Sequence, residues 1–201
     1  MIPPASPAQT AQAVWAAAAR TLTSSDTVRE PRIISPVSAV GGAGAALSAL
    51  GYVQGTALWP VANKAYYMPF VLNSSVTITK LWIANGTAAT GNVDVGIYNE
   101  AGTKQISAES TAQSGASTLQ LFDVADTVLA AGYYYFAFAH NTISQAVIHG
   151  WADTSVVWAA RAVGMYEQTS ALPLPSTATF AAISGSWVCP FVGFIDTLTS
   201  L

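Results

Sequence analysis

From about Ala65 onward, apolar and polar residues alternate with a period of two, and this pattern constrains the chain more than any other feature. Successive side chains of a strand point to opposite faces, whereas a helix repeats about every 3.6 residues, so the alternation selects half-buried β-strands. In residues 75–84, Val76 and Ile78 alternate with Thr77 and Thr79 before the segment turns wholly apolar. In residues 92–98, Val93, Val95 and Ile97 share one face, with Asp94 and Gly96 opposite. Asn99, Glu100, Ala101 and Gly102 supply turn chemistry ahead of residues 103–107, which predicts a hairpin. Further strands are expected over 118–124, 132–139, 145–151, 155–164, 177–183 and 187–195. Eight or more strands joined by short turns, with no helices between them, predict an all-β fold. The expected form is an antiparallel β-sandwich, jelly-roll-like, over residues 61–201.

Residues 1–60 read as an N-terminal arm. Ser6 suits an N-cap and Pro7 the first helical position, where its missing N–H does no harm. The alanines that follow predict one short α-helix over about residues 7–20, with Arg20 complementing the helix dipole. Val14 and Trp15 are its only large apolar groups, and so thin a stripe is marginal alone in water. Val14, Trp15 and Arg20 are therefore expected to dock on another surface. Residues 21–36 carry Asp26, Arg29, Glu30 and Arg32 with Pro31 and Pro36, and read as an extended connector. Residues 40–51 are rich in Gly and Ala, but the third glycine of a dinucleotide fingerprint is missing and no Lys-Ser/Thr pair follows. They read as a connector, not a phosphate cradle.

Charge is the second constraint. Lys and Arg number 7 and Asp and Glu 10, which is 8% of the chain, against a usual level of about 25%. With 52% hydrophobic residues the chain has ample surface to bury, so disorder is excluded. A net charge of −3 and the lack of a Lys/Arg cluster argue against nucleic acid as a partner. Cys189 stands alone, so no disulfide framework exists. No basic residue precedes Arg20, so an export signal is not expected. The uncharged stretch over 33–63 is broken by Pro36, several glycines, Gln54 and Pro60, so no membrane span is expected. A chain so poor in charge covers its surface with Ser and Thr or buries it against partners. Self-association or incorporation into a larger assembly is the expectation.

Residues that carry chemistry are sparse. His140 and His149 show no metal-ligand spacing with each other or with Asp153, and no metal or other cofactor is expected. No Gly-x-Ser-x-Gly elbow is present. Asp94, Glu100, Glu109, Asp123, Asp126, Asp153, Glu167 and Asp196 are dispersed and read mainly as solvated turn residues rather than a facing catalytic pair. Cys189 reads as a small buried hydrophobe. The expectation is a protein that is not an enzyme. Asn73 and Asn85 begin sequons that read as turns. Aromatic rings remain: alternate rings of Tyr133, Tyr134 and Tyr135 must fall on opposite sheet faces. Tyr133, Tyr135, Trp151 and Trp158 are candidates for a ligand or interface surface. Trp82, Trp151, Trp158 and Trp187 all lie in apolar strand contexts, where core packing is the commoner fate.

Residues 66–70 (Tyr-Tyr-Met-Pro-Phe), 76–82, 91–98 and 129–135 resemble β-sandwich domains of tailed-bacteriophage structural proteins. Residues 13–23 are similar to a short segment that recurs in phage tail and appendage proteins. The resemblance implies a virion protein of the head-decoration, head-fibre or tail-appendage type, commonly a homotrimer. Its arm would attach to the major capsid protein or another virion protein, with the capsid surface favoured over the tail as its location. It would be made in the host cytoplasm. The family supplies no catalytic residue to transfer. The alternative is a glycan-binding adhesin module of a tail fibre or appendage, with host surface polysaccharide as ligand.

Overall fold

A computed structural model describes residues 33–34, 54–153 and 157–197. The expected helix over 7–20, the docking residues Val14, Trp15 and Arg20, and the Gly/Ala-rich segment 40–51 lie outside the described residues. Among the described residues are fourteen strands and one helix. The strands are β1 (Ile33–Ile34), β2 (Gln54–Ala57), β3 (Lys64–Leu72), β4 (Val76–Ala84), β5 (Asn92–Asn99), β6 (Lys104–Ser107) and β7 (Thr111–Ala112). They continue with β8 (Leu119–Leu129), β9 (Gly132–His140), β10 (Ile148–Asp153), β11 (Tyr166–Gln168), β12 (Ala181–Ala182), β13 (Trp187–Pro190) and β14 (Val192–Thr197). The helix is α1 (Val157–Ala162).

Every strand pair is antiparallel, as the short turns require. One sheet runs β12-β11-β3-β9-β5-β6, with β7 also on β5; a second runs β1-β14-β4-β8; a third runs β13-β10-β2. β9 is the hub of the first sheet, paired along its length with β3 on one side and β5 on the other. That register turns Phe70, Phe136 and Phe138 inward, and Phe194 of β14 meets Phe70 and Phe136 at ring-centroid distances of 6.2 and 5.9 Å. Aromatic contacts across two sheets make this an all-β antiparallel sandwich. Each fully buried ring contributes about 1.5–3 kcal/mol.

The outer face of the first sheet is also covered. Ala65, Tyr67, Tyr98, Tyr135, Ala137 and Ala139 pack under Ala171, Leu174 and Phe180, from the chain between β11 and β12. Small residues on that face let the covering segment come close. A Cβ on Gly96 would lie 2.8 Å from the Ile106 carbonyl oxygen and 3.1 Å from Leu174 Cδ1.

Several local expectations are corrected. The predicted strand over 155–164 is interrupted by α1, because Ala159, Ala160, Arg161 and Ala162 favour helix. Gly164, at φ +77°, ends it. The Gly164 N–H donates to the Arg161 carbonyl and the Met165 N–H to the Ala160 carbonyl, both at 3.0 Å, the bond pair of a Schellman cap. The strand expected over 177–183 is reduced to β12 and a single bridge from Thr177 to Thr103. The strand expected over 187–195 is two strands, in different sheets, joined at Phe191. β11 was not expected. β1 and β2, on the arm side of residue 60, pair with β14 and β10, and Trp59 is fully buried with its indole N–H donating to the Lys64 carbonyl at 3.0 Å.

Candidate functional site

Three of the carboxylates expected to be solvated are buried: Asp94, Glu167 and Asp196. Asp94 projects from β5 on the outer face, where alternation places it, but the segment carrying Leu174 covers that face. Its carboxylate accepts the Leu174 N–H at 2.9 Å. Burial pushes the Asp94 carboxyl up to about 6, with the Leu174 hydrogen bond opposing. Lys104 stands nearby, its ammonium donating to Glu109 at 3.1 Å and to the Leu174 carbonyl at 3.0 Å.

Glu167 of β11 pairs with Lys64 of β3 at 3.0 Å, both buried, and the Ser184 hydroxyl donates to its other oxygen. Burial alone raises the Glu167 carboxyl, but the Ser184 hydrogen bond and the Lys64 ammonium outweigh it and hold it below its ordinary range. A carboxylate kept ionised in this way clamps β3, β11 and the segment at Ser184 together; its proton affinity is tuned away from proton transfer near neutral pH.

His140 ends β9 fully buried. Its Nδ1 accepts the Thr142 N–H at 2.8 Å and its Nε2 faces the Gln113 side-chain oxygen at 3.0 Å. That pattern assigns the neutral ring with its proton on Nε2. Burial lowers its pKa to about 4. Gln113 in turn donates to Asn85 at 2.7 Å and to the Val147 carbonyl at 2.6 Å, and Asn85 donates to the carbonyls of Ser114 and Gly115. His140 thus belongs to a satisfied buried network that ties together the loops at one end of the sandwich. His149 is half-buried, 5.2 Å from the Phe191 ring. Among the described residues no group of three or more His, Cys, Asp or Glu could hold a metal ion. Cys189 is fully buried, as its apolar neighbours predicted. No helix among the described residues is long and apolar enough to cross a membrane.

The aromatic candidates separate. Tyr135 is buried in the outer-face layer, its ring 4.7 Å from Phe180 and 5.8 Å from Tyr166, so it presents no ligand surface. Tyr133, two residues earlier on the same face, stays 39% exposed with its ring edge-on to Tyr135 at 5.3 Å. Trp158 on α1 is 59% exposed. The side chain of Trp151 lies outside what is described. Trp82 and Trp187 are buried. Tyr133 borders an open depression of about 460 Å3, lined by Asn99, Glu100, Ala101, Gly132, Tyr133 and Tyr134. Two turns meet there, the one after β5 and the one before β9.

A second exposed surface runs along β8, the last strand of its sheet. Leu119 and Leu121 are 56% and 53% exposed, and Val128 also faces solvent. Among the described residues no strand pairs with the free side of β8. Between Asp123 and Thr127 the register against β4 shifts, because Val124, Ala125 and Asp126 stand opposite Thr79 alone. This bulge divides the edge into straight runs at 119–123 and 127–129, the first ending at the Lys80–Asp123 ion pair. Sequence reasoning missed this surface; its signal is Leu119 and Leu121 on the face of β8 opposite Phe122, which is buried in the core. Comparison of the chain with protein-family models, with curated proteins and with solved structures gives no match.

Proposed function

We propose that this protein is a non-enzymatic structural subunit of a phage virion, acting by association with copies of itself and with a neighbouring virion protein. The observation that carries this reading is the edge of β8, where Leu119 and Leu121 are more than half exposed beside unpaired backbone groups. Monomers commonly blunt such an edge with charge, whereas this one offers two leucines and an already neutralised Asp123. A chain with 8% charged residues has little else to keep that surface solvated. Burying the exposed half of each leucine at an interface contributes about 1 kcal/mol, so a homotrimer would gain from every repeated contact. Val14, Trp15 and Arg20 of the arm would dock on the major capsid protein or another virion protein, with the sandwich decorating the capsid surface.

The assembly half of this reading is tested by light scattering on the eluting protein. An oligomer that falls to monomer in Leu121→Lys supports it; a wild-type monomer at all concentrations overturns it. The virion half is tested by gold labelling of purified particles. Label over the head supports decoration, label confined to tail or fibres transfers the role to adhesion, and unlabelled particles overturn it.

A further inference from the structure

The free edge of β8 carries backbone groups in a fixed pattern as well as two exposed leucines. The Asn85 N–H donates to the Thr118 carbonyl at 2.9 Å, and the Ala84 N–H points the other way, to the Phe191 carbonyl at 2.8 Å. In an antiparallel pair the N–H and C=O of one residue point to the same side, and that side alternates along the strand. Ala84 stands opposite Leu119 and Trp82 opposite Leu121, so Gln120 and Phe122 turn their backbone groups toward β4. Leu119, Leu121 and Asp123 turn theirs outward, where no strand among the described residues receives them. Their side chains share one face of the sheet with Trp82 and Lys80, opposite to Phe122 in the core.

A run with outward groups at its first, third and fifth residues is complementary to a second copy of itself. Antiparallel pairing requires outward residues to face outward residues. Centred on Leu121, the pair sets Leu121 against Leu121 of the second copy and Leu119 against its Asp123, so all three outward residues of both strands are used. Centred on Gln120, it sets Asp123 against Ser117, which lies in the turn before β8 at φ +55°. Centred on Phe122, it sets Leu119 against Ala125, inside the bulge. That last register also brings the two Asp123 residues about 7 Å apart along the strands, against about 14 Å in the Leu121 register. Only the Leu121 register keeps both strands between the start of β8 and its bulge, with the like charges apart and each carboxylate on its own Lys80.

We infer that two copies join through β8, antiparallel and two-fold about Leu121. The four strands of each copy's sheet then form one continuous sheet. Leu121 of each copy lies between its own Trp82 and Leu121 of the other. The inference rests on the assembly reading and names the partner surface for it. A two-fold contact joins copies in pairs, whatever further contacts the arm makes.

Disulfide trapping in the full chain tests this pairing. Facing residues of such a pair have Cα atoms about 5.5 Å apart, within the usual disulfide range. Cys189 is fully buried and stays out of the reaction. Under mild copper-catalysed air oxidation, Leu121→Cys should give a covalent dimer, as should the double variant Leu119→Cys with Asp123→Cys. Leu119→Cys alone and Asp123→Cys alone should give none, since each cysteine then lies about 14 Å from its mate. The double variant keeps Leu121, so a folding defect in Leu121→Cys does not shield the inference. Light scattering on the unoxidised wild type is the second readout. An oligomer, three copies included, in which neither Leu121→Cys nor the double variant cross-links overturns this pairing and leaves the assembly reading standing. Cross-linking by Leu119→Cys alone as complete as by Leu121→Cys does the same. A wild-type monomer at all concentrations overturns both.

Discussion

Asp94 and Leu174 lie 80 residues apart in sequence and meet at 2.9 Å, carboxylate to backbone N–H, on the outer face of the first sheet. The bond fastens a covering segment that is also held by the Tyr98 hydroxyl on the Pro175 carbonyl and by the Lys104 N–H on the Ser176 carbonyl. One face of β5 thus supports the core and the other a second apolar layer.

The segment over 169–180 is expected to be held more tightly in mild acid than above neutrality. Burial raises the Asp94 carboxyl from 3.8 to about 6; the Leu174 N–H opposes this, the Glu109 charge reinforces it, and Lys104 and Ser107 oppose it. A group raised on folding contributes stability that is complete below its unfolded pKa and is lost as pH rises through about 6. The full displacement corresponds to about 3 kcal/mol. Hydrogen exchange at the Leu174 amide, corrected for intrinsic rate, should show greater protection at about pH 5 than at about pH 8. Asp94→Asn, which keeps an acceptor for Leu174, should remove that difference.

His140 carries the opposite slope. Its pKa falls to about 4 on burial, below the unfolded value near 6.5, so its contribution is present above about 6.5 and is lost as pH falls to about 4. In the wild type the His140 and Asp94 terms oppose one another across that window. Melting temperature should therefore vary little from about pH 4 to 6.5 in the wild type and climb with pH in Asp94→Asn. A wild-type slope as steep as the variant's would show that one of the two groups is not buried as described.

Breaking the Lys64–Glu167 pair from one side should cost about 3–5 kcal/mol, since it strands a buried charge. Lys64→Met and Glu167→Leu should each lower the urea midpoint strongly. The double variant should be more stable than either single one.

Cys189 should resist thiol reagents in the folded protein. Its thiol is fully buried and pushed up to about 12 by that burial, so almost no thiolate forms near neutral pH. A chromogenic disulfide reagent should find no reactive thiol in native buffer and one in denaturant. Rapid native labelling would place Cys189 at the surface.

Where alternation was clean, the residues announced their own placement: Val93, Val95 and Ile97 point into the core, and Tyr133 and Tyr135 share the opposite face from Tyr134. The same rule misled at Asp94. Alternation tells which face a residue takes but not whether that face is wet, and what dries it comes from a segment some 80 residues away. Glu167 was missed for the same reason, its partner Lys64 lying 103 residues upstream. At residues 157–162 a local signal existed and was outweighed: Val157 and Trp158 suggested a strand, while four helix-favouring residues and the cap glycine Gly164 decided the outcome. The hollow at Tyr133 was half legible, since the ring was a candidate from the start but its neighbours Asn99 and Glu100 read only as a turn.

The bulge of β8 bears on how far association can run. An edge straight along its whole length is an invitation to indefinite stacking, copy upon copy. Here the three residues Val124, Ala125 and Asp126 stand against Thr79 alone and divide the edge into two short straight runs, 119–123 and 127–129. A neighbour that paired at either run would meet the bulge before it could extend, which would limit growth by edge pairing. On the proposed assembly reading, an edge interrupted in this way would count against fibres.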